Sequence, residues 1–162
     1  MTIDASMHPN AEALRTHPFF AGFDPGGIER LAGIARTASF GRNQVILREG
    51  EESTQLYLLT AGRVALEIPG AGEPFRVATL SAGDEFGWSW ALGNPGVYQV
   101  RALEPVEALL LPAHDLAALC EEDRAFGYVL MRRLLGVVSE RLRSTRLMLI
   151  DAHLPAARSA GA

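Results

Sequence analysis

Gly83, Asp84 and Gly87 stand directly ahead of Trp88-Ser89-Trp90-Ala91-Leu92. A glycine-opened turn that runs into a short helix leaves backbone N–H groups free, and such groups can cradle an anion. Phe86 lies inside this turn and Tyr98 follows it, and both tryptophans of the chain fall in this one stretch. Indole N–H groups need hydrogen-bond partners when buried. Trp88, Ser89, Trp90 and Tyr98 therefore suit an aromatic, weakly polar pocket for a small ligand, and they equally suit a cavity plugged by its own tryptophans.

Other residues that could do chemistry are less well placed. His8, His17, His114 and His153 all fall outside the strand-like region, so no set of histidines on facing strands is expected and no metal or cofactor is implied. Cys120 is followed by Glu121 and Glu122, which raise a thiol pKa and mark a packed residue rather than a nucleophile. Ser53, Ser81 and Ser89 have no His or Asp neighbour in the sequence to activate them. Neither a phosphate-binding P-loop nor a dinucleotide fingerprint occurs. Asp84-Glu85 reads as a turn and its solvated flank, and Arg132, Arg133, Arg141, Arg143 and Arg146 as the solvated side of a helix. The expectation is a protein that is not an enzyme.

The elements that must position these residues follow from hydrophobic spacing. Residues 1–16 read as a loose arm. Pro25 opens a helix over 25–36, with Ile28, Leu31, Ile34 and Ala35 on one face. From Thr37 short apolar runs alternate with glycine turns: Val45–Leu47, Leu56–Leu59, Val64–Ile68, Phe75–Leu80, Tyr98–Ala102 and Val106–Leu111. Close, even spacing of short strands predicts a β-sandwich or β-barrel. Leu116, Leu119 and Cys120 suit a short helix, and a long one is predicted over about 124–150. Pro155 introduces a short tail, 152–162. One domain, 17–151, mainly β with flanking helices, accounts for the chain.

Composition bounds the function. Of 162 residues, 48% are hydrophobic and 21% charged, enough for one real core. The net charge of −4 argues against a dedicated nucleic-acid binder. A single cysteine, no signal-peptide pattern and no membrane-length apolar run point to a cytoplasmic protein that does not enter the membrane.

The order of words along the chain resembles the cyclic-nucleotide-binding domain of CRP/FNR-type regulators. "HPFFAGFDPGGIERLAGIA" is similar to that family's first helix, "VILREGEESTQLYLLTAGRVAL" to its hairpin turning at Gly62, "LSAGDEFGWSW" to the opening of its phosphate-binding cassette, and "MRRLLGVVSERL" to its dimerising helix. The resemblance implies a double-stranded β-helix, or jelly-roll, barrel with an N-terminal helix and a long C-terminal dimerisation helix. The family's cassette reads G-E-[LIF]-[AG] and, after a loop, R-[ST]-A. Gly83, Asp84 and Gly87 keep its turn. Trp88 stands at the glutamate that would hold the ribose hydroxyl, and Gly96 and Val97 stand at the arginine and its neighbour. Arg101, of opposite strand parity to position 96, points away from the pocket. An unpaired cyclic phosphate is costly to bury, so tight binding of cAMP or cGMP is not expected.

Two further expectations concern the long helix. Tyr128, Met131, Leu135, Val138, Leu142, Thr145 and Leu149 alternate at spacings of three and four, a heptad seam that suits a parallel homodimer. A second stripe, Phe126, Leu130, Leu134 and Val137, is left to pack on the strands. The resemblance also places Val138-Ser139 where nucleotide-binding relatives use hydroxyls to reach the base. CRP/FNR-type regulators continue into a winged helix-turn-helix, and "DAHLPAARSAGA" is too short to be one, so no direct DNA binding is expected. The expected function is a small-ligand sensor acting through an unknown partner protein. The alternatives are a ligand-free interaction scaffold, or a true cAMP or cGMP regulator whose DNA-binding part is supplied by another protein.

Overall fold

The computed structural model describes residues 8–159. Helix α1 (Ala11–Thr16) is followed by a 3-10 turn at Pro18–Phe20 and by helix α2 (Pro25–Ile34). Eight strands come next: β1 (Arg36–Phe40), β2 (Val45–Leu47), β3 (Gln55–Ala61), β4 (Val64–Ile68), β5 (Phe75–Leu80), β6 (Glu85–Phe86), β7 (Gln99–Ala102) and β8 (Val106–Pro112). Trp88–Leu92 forms a 3-10 helix between β6 and β7, and α3 (Ala113–Glu122) and α4 (Arg124–Ser159) close the order. Among the described residues no helix is long and apolar enough to cross a membrane.

The strands form two antiparallel sheets, ordered β1-β8-β3-β6 and β2-β7-β4-β5. The jelly-roll expectation holds at the level of two facing β layers with flanking helices. The closed barrel does not: no strand pairs across from one sheet to the other among the described residues. The edge strands β2 and β6 have three and two residues, too short to carry a ladder around the corner.

Period-2 alternation in β3 and β8 builds two cores at once. Leu56 and Leu58 of β3, with Leu109 and Leu111 of β8, face the helices and pack with Leu14, Phe20, Leu31, Leu116, Leu130 and others. Tyr57 and Leu59, with Val106, Ala108 and Leu110, face the second sheet and meet Val64, Leu66, Leu80 and Val100. A sheet covered on both faces reads as continuous apolar runs, which is why these two strands stand out in the sequence. β1 does not stand out, because RTASF lies on an edge and leaves most of its side chains in water.

Three boundaries differ from expectation. The helix expected over 25–36 ends at Ile34, because Arg36 already pairs in β1. The arm drawn over 1–16 is helical from Ala11, and Ala11 and Leu14 are fully buried in the helical core. An i, i+3 apolar pair on one helical face is enough once α2 is there to cover it. Asn10 fastens this helix by donating from Nδ2 to the Ala35 carbonyl at 3.1 Å. Residues 1–7 lie outside the described residues. At the other end α4 runs past Pro155 to Ser159, where a tail from 152 was expected. A proline removes one helical hydrogen bond and can bend a helix without ending it. Residues 160–162 are outside the described set.

The hairpin between β3 and β4 depends on Gly62, which holds φ at +83°. A Cβ there would lie 2.3 Å from the Pro105 carbonyl oxygen. Gly62→Ala is expected to lower stability by about 2–4 kcal/mol, from the left-handed backbone and the collision with main chain together. Urea unfolding monitored by circular dichroism measures it.

Candidate functional site

The turn that opens the site is stitched to β3. Leu59 N–H donates to the Asp84 carbonyl, and Gly83 N–H donates to the Leu59 carbonyl, both at 2.9 Å. Asp84 is spent locally, its Oδ2 accepting from Ser81 N–H at 2.9 Å. Phe86 stacks flat on Tyr57, with ring centroids 4.6 Å apart. Gly87 then takes φ +86°, where a Cβ would come within 2.6 Å of the Gln55 carbonyl oxygen. Only glycine lets the chain pass this close to β3 and swing into the 3-10 helix that carries the tryptophans.

A cavity lies between this turn, the loop before β7, and α4. Phe86, Gly87, Trp88, Ser89 and Tyr98, all expected at the site, line it. Its water-accessible volume is about 30 Å³, room for water and far below the several hundred Å³ of a typical ligand site. Gly96, at the position where the family has its arginine, lines the wall. Arg101 does not: its Nε lies 3.2 Å from Glu67 Oε2, which also accepts from Gln99 Nε2 at 2.9 Å.

Four expected site residues sit elsewhere. Gly83 shapes the turn and packs toward Pro18 rather than the cavity. Trp90 turns to the helical core and the groove beside Cys120, Tyr128 and Met131, and its buried Nε1 has no hydrogen-bond partner among the described residues. Val138 and Ser139 do not reach the cavity, and Ser139 is exposed. The helical period explains this: residues facing the strands fall at Leu130, Leu134 and Val137, and the next on that face is Arg141.

Arg141 is the residue that sequence reasoning missed. It reads as one of five solvated arginines, yet its side chain is only 16% exposed and lines the cavity. Its Nη2 donates to the Glu85 carbonyl at 3.3 Å and lies 3.8 Å from Glu85 Oε1. Glu85, expected on a solvated flank, is buried at the cavity wall. Burial pushes its carboxyl up to about 7; Arg141 opposes the shift and Asp84 adds to it. The available signal was the i+4 step from Val137 to Arg141, which continues the strand-facing stripe.

His17 pins the N-terminal turn to the sheet. Its Nδ1 accepts from Phe19 N–H at 3.2 Å, so its Nε2 donates to the Leu59 carbonyl at 3.0 Å. Burial lowers its pKa, which keeps this neutral arrangement. Among the described residues no cluster of His, Cys, Asp and Glu could hold a metal. The Cys120 thiol is pushed up by burial and by Glu121, away from nucleophilic reactivity.

On the far side of α4 the heptad seam is bare. Tyr128, Leu135, Leu142 and Leu149 are between 61% and 70% exposed, and Met131 is 38% exposed. Val138 and Thr145 are half-buried, and Thr145 Oγ1 donates to its own helix at the Arg141 carbonyl. The opposite stripe of Phe126, Leu130 and Leu134 is buried in the helical core, with Val137 packed against it.

Comparison with known proteins agrees with this architecture. A search of curated proteins finds no match. Among solved structures, a Geobacter metallireducens protein described as cyclic nucleotide-binding is 28% identical, with TM-score 0.73, over 82% of this chain and 97% of its own. A cyclic nucleotide-binding domain from Methylobacillus flagellatus aligns at TM-score 0.76 and 21% identity, over 88% of this chain and 83% of its own. The regulatory subunit of a cAMP-independent protein kinase A from Trypanosoma cruzi, bound to guanosine, is 26% identical at TM-score 0.57, over 78% of this chain and 49% of its own. The model of the cyclic nucleotide-binding domain matches residues 37–123, from β1 through the cassette turn to the end of α3. With two facing sheets, that turn at Gly83–Gly87 and the long helix laid across it, the chain belongs to the cyclic nucleotide-binding domain family.

Proposed function

We propose that the chain is a regulatory module whose cassette no longer serves a cyclic phosphate, that it senses an uncharged small ligand, and that it signals to a separate protein as a homodimer built on α4. The observation that carries this reading is the cavity's charge. Among the described residues the one guanidinium lining it already faces the carboxylate of Glu85, and Gly96 supplies no other. A cyclic phosphate would enter a site without an uncommitted cation, at a cost that hydrogen bonds from backbone N–H groups do not offset. That a related regulatory subunit is cAMP-independent and bound to guanosine supports an uncharged ligand.

A second reading, a ligand-free scaffold, has the small cavity and the wall formed by Trp88 in its favour. Thermal shift and isothermal titration against nucleosides, cyclic nucleotides and central metabolites separate the two. A true ligand at 100 times its Kd stabilises the fold by about 2.7 kcal/mol. No stabilisation by any compound leaves the scaffold. A low-micromolar Kd for cAMP or cGMP overturns the degenerate-cassette reading itself.

A further inference from the structure

Glu85 and Arg141 face the cavity with most of their hydrogen-bonding capacity unspent. A guanidinium has five N–H donors and a carboxylate has acceptors only. Arg141 uses a donor on the Glu85 backbone carbonyl. The carboxylate makes no hydrogen bond among the described residues, and its 3.8 Å contact with Arg141 is an ion pair beyond hydrogen-bond reach. Both side chains are nearly buried, at 11% and 16% exposure. Glu85 is not sealed into the fold: its carboxylate oxygens are not among the buried, unpartnered polar atoms of the described residues, so they stay open to whatever occupies the cavity.

We propose that Arg141 and Glu85 together read the lactam edge of an uncharged heterocycle, the carbonyl and ring N–H that a guanine nucleoside presents side by side. The guanidinium donates to the ring carbonyl, and the carboxylate accepts from the adjacent N–H. This deepens the ligand-sensor reading above and rests on it. A charged ligand of either sign would set a like charge against one member of the pair, whereas a dipolar edge satisfies both. Phe86 and Tyr98 supply walls that suit a planar ring. The cavity of about 30 Å³ holds no ring as it stands, so the ring takes the space of Trp88, whose partly buried side chain leaves its packing on the helical core. Adenine presents a donor where the lactam has its carbonyl and an acceptor where the lactam has its N–H, so the same pair rejects it.

The test is isothermal titration of the full chain with guanosine, inosine, adenosine and cGMP. Guanosine and inosine, which share the lactam, are expected to bind, and adenosine at least about tenfold more weakly. Glu85→Gln and Arg141→Met should each weaken guanosine binding by about tenfold or more, with circular dichroism unchanged. Glu85→Gln keeps the comparison interpretable if Arg141→Met fails to fold. The proposal is overturned if neither lactam nucleoside binds, if adenosine matches guanosine, if Glu85→Gln leaves the affinity unchanged, or if cGMP binds more tightly than guanosine. Binding of some other compound that lacks a lactam edge defeats this proposal and leaves the sensor reading standing. Binding of nothing at all defeats both.

Discussion

At about pH 9 the Glu85→Gln variant is expected to exceed the parent in stability by about 3 kcal/mol, and at about pH 4 the two should be equal. The Glu85 carboxyl rises from 4.5 to about 7 on folding. The folded chain therefore holds this proton more tightly than the unfolded chain does. Its contribution to stability is fully present below pH 4.5 and is lost as pH rises through about 7. A glutamine has nothing to ionise, so the variant escapes the loss. The attraction of Arg141 is already contained in the shift, so no separate correction for the ion pair is needed. Urea midpoints across the pH range measure the difference. A Glu85→Gln variant less stable than the parent at high pH would show that the pair holds the fold together rather than costing it stability.

The double variant Leu135→Glu, Leu142→Glu is expected to sediment as a monomer where the parent sediments as a dimer. The two leucines are 68% and 70% exposed in the single chain, so their replacement costs the monomer fold little. In a symmetric parallel pair each would meet its own copy. Burying one large aliphatic side chain contributes roughly 1.5–3 kcal/mol, and five such positions per chain outweigh an association cost of about 4–15 kcal/mol. Thr145, the polar member of the seam, has already spent its hydroxyl on the Arg141 carbonyl at 2.9 Å and asks nothing of a partner. Four glutamates in the seam of one dimer would add like-charge repulsion to the lost burial. Analytical ultracentrifugation of both proteins at tens of micromolar decides the matter. A parent already monomeric there removes the homodimer and assigns the seam to another protein.

The sequence made the strands legible where two chemical signals coincided. β3 and β8 show as apolar runs because both their faces are covered, β4 and β5 are bounded by glycine turns, and β7 is preceded by one. β1 and β6 were silent for opposite reasons: one is a polar edge, and the other has two residues inside a turn. At the site, local geometry was readable. Gly87 reads as part of the turn that opens the site, and it passes the Gln55 carbonyl at a distance no side chain tolerates. What could not be read was which arginine of α4 turns inward. Arg133 and Arg141 both do, the first donating to the carbonyls of Phe19 and Ala21 and the second to that of Glu85. Both differ from Arg132 and Arg143 only in helical phase relative to the strands. That phase is set by how α4 docks, which periodicity alone places to within about a residue.

The pairing of β3 with β8 has a consequence in time as well as in space. All of the chain from Gly62 to Pro105, including β4, β5, the cassette turn and β7, lies between these two strands, yet their register, Leu58 opposite Leu109, underlies both hydrophobic cores. Completing either core requires that long loop to close, and the entropy of closing it comes due before the β3–β8 burial compensates. Folding is therefore expected to be limited by this distant encounter rather than by the helices, and stopped-flow refolding slower than that of a helical domain of this size checks it.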